Sequence, residues 1–407
     1  MVTSATRSCS TDSSCGLYVH IPFCETKCGY CDFYSVAVKD RETKPLVDRI
    51  RHELRTRMAG RSDNIRTVFC GGGTPTILPL GQLAALLQAI TELVRLDRLF
   101  EFTVEANPAT VDDPKAEILV EHGVTRVSMG AQSFVPAELA ALERLHSPDD
   151  ITPSVQTCRR NGVARINLDL IFGIPGQTLD SWSYSLKRAL DLGVDHIACY
   201  GLTYEAGTPL TAQKRRGRVI PCDEGLEADM YLLAIDALAA AGYEQYEISN
   251  FARPGCASRH NLIYWRNEPY IGVGPSACGC IDGRRYKNIA DIAGYVRLMD
   301  AQGHAEVESE LLDTPTLMTE MILMQLRLNE GLSITAFHHR TGVDPRVLFG
   351  ETLARLTEAR LVSVSDSHIA LTREGRLMAD PIMAELACCC DGGEPVERIP
   401  LPVIAHV

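Results

Sequence analysis

Apolar and polar positions alternate in two different periods along the first 250 residues. Short apolar, β-rich runs lie at 17–21, 66–70, 101–106, 126–130, 165–171 and 196–202. Longer segments with helical spacing separate them, such as 80–96 and 179–192. Strands alternating with helices predict βαβ units and a parallel sheet. Six units in succession predict an α/β fold, a partial (β/α)6 barrel of TIM type. One more β-like run, 243–248, follows a helix over 224–241.

The texture changes near residue 314. Helical periods over 317–328, 333–341 and 345–359 precede an alternating segment, 361–372, that turns at Ser365-Asp366-Ser367. Helices followed by a hairpin predict a mostly helical, winged-helix-like C-terminal domain. The expected division is a disordered lead (1–15), a core (16–250), a connecting segment (251–313), the C-terminal domain (314–386) and a flexible tail (387–407) that carries Cys388-Cys389-Cys390.

Charge narrows the functional classes. Lys and Arg number 40 against 52 Asp and Glu, a net charge of -12, which argues against a broad nucleic-acid surface. Residues 314–386 hold seven basic and nine acidic side chains, so docking suits that domain better than DNA binding. Hydrophobic residues make up 45%, yet no apolar run approaches the roughly 20 residues that span a bilayer. Met1 to Ser14 lacks the apolar stretch of a secretory signal, so a cytoplasmic location is expected. There the 15 cysteines stay reduced, and cysteines at fixed spacing point to metal binding.

Three of them do stand at fixed spacing. Cys24, Cys28 and Cys31 form C-x3-C-x2-C in the loop after the first strand. Three thiolates converging there suit a [4Fe–4S] cluster with one iron left open. A zinc site completed by His20 or a distant cysteine is the alternative, since structural zinc takes four ligands. Cys9 and Cys15 are spaced too loosely to belong to the set. Further polar landmarks fall at successive strand ends: Gly71-Gly72-Gly73-Thr74-Pro75, Glu105-Ala106-Asn107-Pro108, Gln132, Asp169 and Thr203. In a β/α barrel that face carries the active site. Three glycines also let a ligand approach the backbone.

The cysteine loop, the glycine run and the strand-end residues together resemble the radical SAM superfamily. From about residue 16 to 386 they resemble one branch of it, which holds oxygen-independent coproporphyrinogen oxidases (HemN) and the HemW-type heme chaperones. The resemblance implies that Cys24, Cys28 and Cys31 hold the cluster and that S-adenosylmethionine chelates the open iron. It implies an adenosylmethionine pocket of Tyr18, Tyr30, Gly72, Gly73, Thr74, Glu105, Gln132, Arg144 and Asp169, with Thr203 and Cys278 matching less sharply.

Two features separate the branch. The oxidase type has a fourth cysteine two residues after the third, where this chain has Phe33. Arg259-His260-Asn261-Leu262-Ile263-Tyr264-Trp265 matches the H-N-x-x-Y-W heme motif of the chaperone type. His260, Asn261, Tyr264 and Trp265 are then the expected heme contacts, with His260 as axial ligand. Composition alone reads the same motif as a buried aromatic cluster around a satisfied histidine. The chaperone type usually has His where Cys278 stands, which leaves a second axial ligand open.

Three hypotheses follow. The first is a heme chaperone that carries the cluster and S-adenosylmethionine and delivers heme to acceptors such as respiratory enzymes. Membrane contact is then peripheral, and classical turnover is not required. The second is a porphyrinogen-decarboxylating enzyme that cleaves S-adenosylmethionine to a radical. Phe33 and the H-N-x-x-Y-W motif discriminate against it. The third, a regulator acting through the C-terminal domain, is opposed by that domain's acidity.

Overall fold

The structure is a computed structural model that describes residues 14–39 and 41–391. Most of the expected lead and tail, with Cys9, lies outside the described residues. Cys15 instead opens the first strand, and Ala387 and Cys388 close the last helix.

Six strands follow the predicted runs within two residues at each end. They are β1 (Cys15–Ile21), β2 (Ile65–Gly72), β3 (Glu101–Ala106), β4 (Arg126–Gln132), β5 (Arg165–Phe172) and β6 (His196–Gly201). Each pairs in parallel with the next. Helices cover the outer face, among them α1 (Lys44–Met58), α2 (Leu80–Thr91), α3 (Asp113–Glu121), α4 (Pro148–Arg160), α5 (Leu179–Asp191) and α6 (Glu224–Ala240). Local chemistry starts them. Ser147 and Asp150 form a capping box for α4, and the Thr178 hydroxyl accepts from Ser181 N to begin α5.

The period of two assigns the two faces of the sheet. Leu17, Val19, Val68, Phe102, Val104, Val127, Met129, Leu168 and Ile197 point outward into the main core under the helices. Their neighbours Tyr18, Phe69, Thr103, Glu105, Arg126, Ser128, Asn167, Asp169 and His196 line the interior. Register aligns the inner residues across strands: Thr103 with Arg126, Glu105 with Ser128, and Ser128 with Asn167. Burying each large aliphatic side chain under the helices contributes roughly 1.5–3 kcal/mol. That layer keeps the polar inner rows in place.

The expected connecting segment proves to be more sheet. The chain adds β7 (Glu244–Gln245), β8 (Asn250–Ala252), α7 (Arg259–Trp265), β9 (Tyr270–Val273), β10 (Cys278–Ile281), β11 (Arg284–Asn288), α8 (Ile292–Gln302) and β12 (Glu306–Leu311). The strand order is β12-β11-β10-β9-β1-β2-β3-β4-β5-β6-β8-β7, with β9 parallel to β1 and β10 to β12 antiparallel beyond it. These strands escape the pattern because they are short, and because β12 is an exposed edge rich in Glu.

The C-terminal part runs α9 (Thr314–Gln325), β13 (Leu332–Ser333), α10 (Ile334–Thr341), α11 (Pro345–Glu358), β14 (Val362–Val364), β15 (His368–Leu371) and α12 (Ala379–Cys388). Its three strands pair antiparallel in the order β13-β15-β14, a wing over its own apolar core.

Candidate functional site

The strand ends and the loop after β1 meet at one mouth of the barrel. Phe23–Cys24 pairs with Val36–Ala37, which pins both ends of the cysteine loop. Cys24, Cys28 and Cys31 are half-buried on it, and none is in a disulfide. A hydrogen-bonded chain joins two of them through Thr74, Asn107 and Arg144. Thr74 Oγ1 stands 3.9 Å from Cys24 Sγ and accepts from Asn107 Nδ2 at 2.9 Å. Arg144 Nη2 donates to Asn107 Oδ1 and to Gly130 O at 2.7 Å, while its Nη1 reaches Cys28 Sγ at 3.5 Å. Burial pushes the Cys31 thiol up to about 12 and raises Cys24 as well. A metal that replaces those protons would satisfy the loop.

His20, the candidate fourth zinc ligand, is not available. Its Nε2 donates to Tyr34 O and its Nδ1 accepts from Tyr18 OH, both at 2.9 Å. Among the described residues no three His, Cys, Asp or Glu side chains are grouped as a single-ion site. Three thiols on one loop with a guanidinium beside them fit a multi-iron cluster better than a lone zinc.

The three glycines serve three different close approaches. A Cβ on Gly71 would meet the Glu105 carboxyl at 2.6 Å. On Gly72, at φ +97°, it would meet the His20 ring at 2.2 Å. On Gly73 it would meet Phe23 O at 2.6 Å. Gly72 N donates to Glu105 Oε2 at 2.9 Å. Burial, then the Asp169 charge, pushes Glu105 up to about 8 against that bond. Burial also raises Asp169 to about 6, although Asn167 donates to it at 2.7 Å. Two inward carboxyls held this way await a partner that carries donors or positive charge.

Below the mouth lies a cavity of about 360 Å³. Tyr18, Glu105, Asp169, Asn261, Tyr264 and Cys278 all line it, so the structure brings together much of both expected residue sets. Phe69 and Tyr270 add aromatic wall, and Phe33, at the place of the oxidase's fourth cysteine, also faces it. Other expected residues lie elsewhere. Tyr30 packs in a side cluster with Leu142, Ile174 and Leu202. Gln132 is buried at a bulge in β4 with φ 64°. Thr203 is exposed in the loop after β6.

The H-N-x-x-Y-W residues divide by face of α7. Asn261 and Tyr264 face the cavity. His260 is fully buried outside it, with Nδ1 2.8 Å from Thr67 Oγ1 and Nε2 2.9 Å from Tyr264 OH. Its ring stacks on Phe69, and burial lowers it to about 4. Ligation of iron by His260 would require breaking one of these bonds. Trp265 points the other way, onto Met324 and Leu328, with the Arg327 guanidinium 4.8 Å above its ring. It fastens the C-terminal part to the barrel.

Sequence reasoning missed the pair that seats α7. Glu101 accepts from Ser258 Oγ and from the backbone N–H groups of Arg259 and His260, and it pairs with Arg126 Nε at 3.0 Å. Both side chains are buried at the start of their strands. Opposite charges on inward positions of adjacent strands were the available signal.

Comparison with known proteins agrees with this geometry. Residues 18–189 match the model of the radical SAM superfamily, and residues 312–378 match the HemN C-terminal domain. The heme chaperone HemW of Bacillus subtilis is 36% identical over 90% of this chain and 97% of its own. The Mycobacterium tuberculosis heme chaperone HemW is 35% identical over 91% and 94%. The chain belongs to the HemW family of the radical SAM superfamily. A solved structure, the coproporphyrinogen III oxidase HemN of Escherichia coli, described as a radical SAM enzyme, superposes with a TM-score of 0.78. It covers 93% of this chain and 90% of that one, at 23% identity, and shows the shared fold. Membership of the superfamily implies a [4Fe–4S] cluster and S-adenosylmethionine, and the cysteine loop described above suits the cluster. Among the described residues of this HemW-family chain, no helix is long and apolar enough to cross a membrane.

Proposed function

We propose that this protein is a heme chaperone that takes heme into the barrel cavity and passes it to heme-accepting proteins such as respiratory enzymes. The observation that carries the reading is the cavity itself. It has an aromatic wall of Tyr18, Phe69, Tyr264 and Tyr270 for a flat macrocycle, and it opens beside the cysteine loop. In this reading Cys24, Cys28 and Cys31 hold the cluster. Tyr18, Gly72, Gly73, Thr74, Glu105, Arg144 and Asp169 form the pocket for S-adenosylmethionine, with Tyr30 and Gln132 packed behind it. Asn261 and Tyr264 contact heme, while His260 and Trp265 position them. The C-terminal domain docks acceptors and not nucleic acid, and the setting is the cytoplasm with peripheral membrane contact.

The relatives named heme chaperones support this reading over most of the chain. Phe33 at the mouth further favours it over porphyrinogen decarboxylation. The test is anaerobic reconstitution of the cluster, then heme titration and a coproporphyrinogen decarboxylation assay on the same sample. Uptake of one heme per chain without decarboxylation is expected. Decarboxylation without heme uptake would overturn the proposal.

A further inference from the structure

Among the described residues, three buried side-chain atoms without a hydrogen-bond partner belong to residues that line the barrel cavity: Thr103 Oγ1, Arg126 Nη1 and Asn261 Oδ1. Thr103 is fully buried, Arg126 is 1% exposed and Asn261 5%. Buried polar atoms are rarely left unpaired unless something else satisfies them. The guanidinium sharpens the point, because an unpaired group on a buried cation costs more than a neutral one.

The fold brings the three groups together. Thr103 and Arg126 are register partners on β3 and β4, and both side chains face inward. Arg126 Nε pairs with Glu101 at 3.0 Å and Nη2 donates to Cys256 O, which leaves Nη1 over. Glu101 also accepts from Ser258 Oγ and from the backbone N–H groups of Arg259 and His260. Asn261 N donates to Ser258 Oγ at 3.4 Å, so Asn261 is carried in on the same anchor as the guanidinium.

The donor set selects an anion. Arg126 Nη1 can only donate, the Thr103 hydroxyl can donate, and a half-turn of the Asn261 amide presents its NH2. A planar guanidinium matches a carboxylate. Charge along the barrel agrees with this. On the interior rows Glu105 stands two residues, and Asp169 four residues, beyond the Thr103–Arg126–Arg165 row toward the mouth. The acidic pair is thus near the mouth and the cation on the floor. Lys27 and Lys287 also line the cavity, but Lys27 is exposed and Lys287 half-buried, so solvent already serves them.

We infer that Thr103, Arg126 and Asn261 form a carboxylate subsite on the cavity floor, which takes a propionate of the heme and fixes which edge of the macrocycle enters first. The inference rests on the heme-chaperone reading. It concerns the propionate edge alone and not the ligation of iron.

The test compares hemin with hemin dimethyl ester, in which both carboxylates are capped, on the anaerobic cluster-loaded protein. Iron is the same in both probes, so the ratio of their affinities reads the carboxylates. The parent should bind hemin about tenfold or more tighter than the ester, the effect of a hydrogen bond to a charged group. Thr103→Val keeps the side-chain shape and loses a hydroxyl that has no partner, so the protein should fold and the ratio should fall to about threefold or less. Asn261→Asp, isosteric but anionic, should weaken hemin about tenfold or more and the ester by less than about threefold. Iron and sulfide content checks that each variant is folded and loaded. Lys287→Gln should keep the parental ratio. Equal affinities in the parent, or a parental ratio in both floor variants, would overturn the inference while leaving heme uptake intact. A ratio lost in Lys287→Gln but kept in the floor variants would overturn it by placing the propionates at the mouth. No uptake of either probe by the parent would overturn the chaperone reading and this inference with it.

Discussion

At the scale of single residues, close approach explains the site better than residue type does. The glycine run stood out in the sequence as a place where a ligand nears the backbone. The structure shows that each glycine also makes room for a protein group, and no spacing rule reveals which one. Gly71→Ala meets a movable carboxyl, so it should weaken S-adenosylmethionine binding while the cluster survives. Gly73→Ala meets backbone oxygens of the cysteine loop, so it should lower cluster occupancy and cost about 1–3 kcal/mol of stability. Iron and sulfide analysis beside equilibrium ligand binding separates the two, and equal effects on both readouts would refute the distinction. Cys24→Ala, Cys28→Ala and Cys31→Ala should each abolish the cluster, whereas Cys388→Ala should leave it intact. A normal iron content in any of the first three variants shows that the ligand set is wrong.

The paired carboxyls give a pH dependence at the same scale. Glu105 and Asp169 have folded values raised to about 8 and about 6, so the folded protein holds protons that the unfolded chain has released. Their contribution to stability is therefore full below about pH 4 and is lost as pH rises through 6 and then 8. S-adenosylmethionine carries positive charge and favours the ionised carboxyls. Its affinity should rise with pH up to about 8, by at most about tenfold per unit for one coupled proton. Glu105→Gln should flatten that rise. Isothermal titration in buffers of different ionisation enthalpy measures the proton count, and an affinity independent of pH would refute the coupling.

At the scale of elements, the strands and helices were legible wherever a buried face repeats. Six strand positions and the C-terminal helices match expectation because the core under α1 to α6 demands an apolar outer row on every strand. The region after Ala252 was not legible in this way. Its strands are short, and α7 is held by burial within the barrel and by Glu101, not by an amphipathic stripe. The H-N-x-x-Y-W motif was visible as a motif, but its division between cavity, core and domain contact depends on which way a seven-residue helix is rotated. Glu101 sets that rotation. Glu101→Gln leaves the Arg126 charge buried and unpaired, a change that typically costs about 3–5 kcal/mol. Denaturant unfolding should show that loss. Hydrogen exchange should show faster opening of the amides of 259–265 than of β4. Unchanged exchange in α7 would mean that the helix is seated by packing alone.

At the scale of the whole molecule, the cavity joins chemistry drawn from both ends of the chain. The cysteine loop and the carboxyls come from the first six strands. Asn261, Tyr264, Tyr270 and Cys278 come from the segment that extends the sheet past β1. The C-terminal part is tied to that segment by Trp265 against Met324 and Leu328, and by the Arg266–Glu330 ion pair at 3.0 Å. The C-terminal part therefore has a direct mechanical route, through α7, to the cavity wall. The central claim is that heme occupies this cavity, and Thr103→Phe tests it most directly. Thr103 is fully buried against the cavity, and its hydroxyl has no partner to lose. The larger ring should fill the floor and leave the cysteine loop untouched. In an anaerobic heme titration the cluster-loaded parent should bind one heme per chain. Thr103→Phe should keep its cluster and lose heme affinity by tenfold or more. Undiminished heme affinity in a folded, cluster-loaded Thr103→Phe protein would place the heme elsewhere and contradict the account.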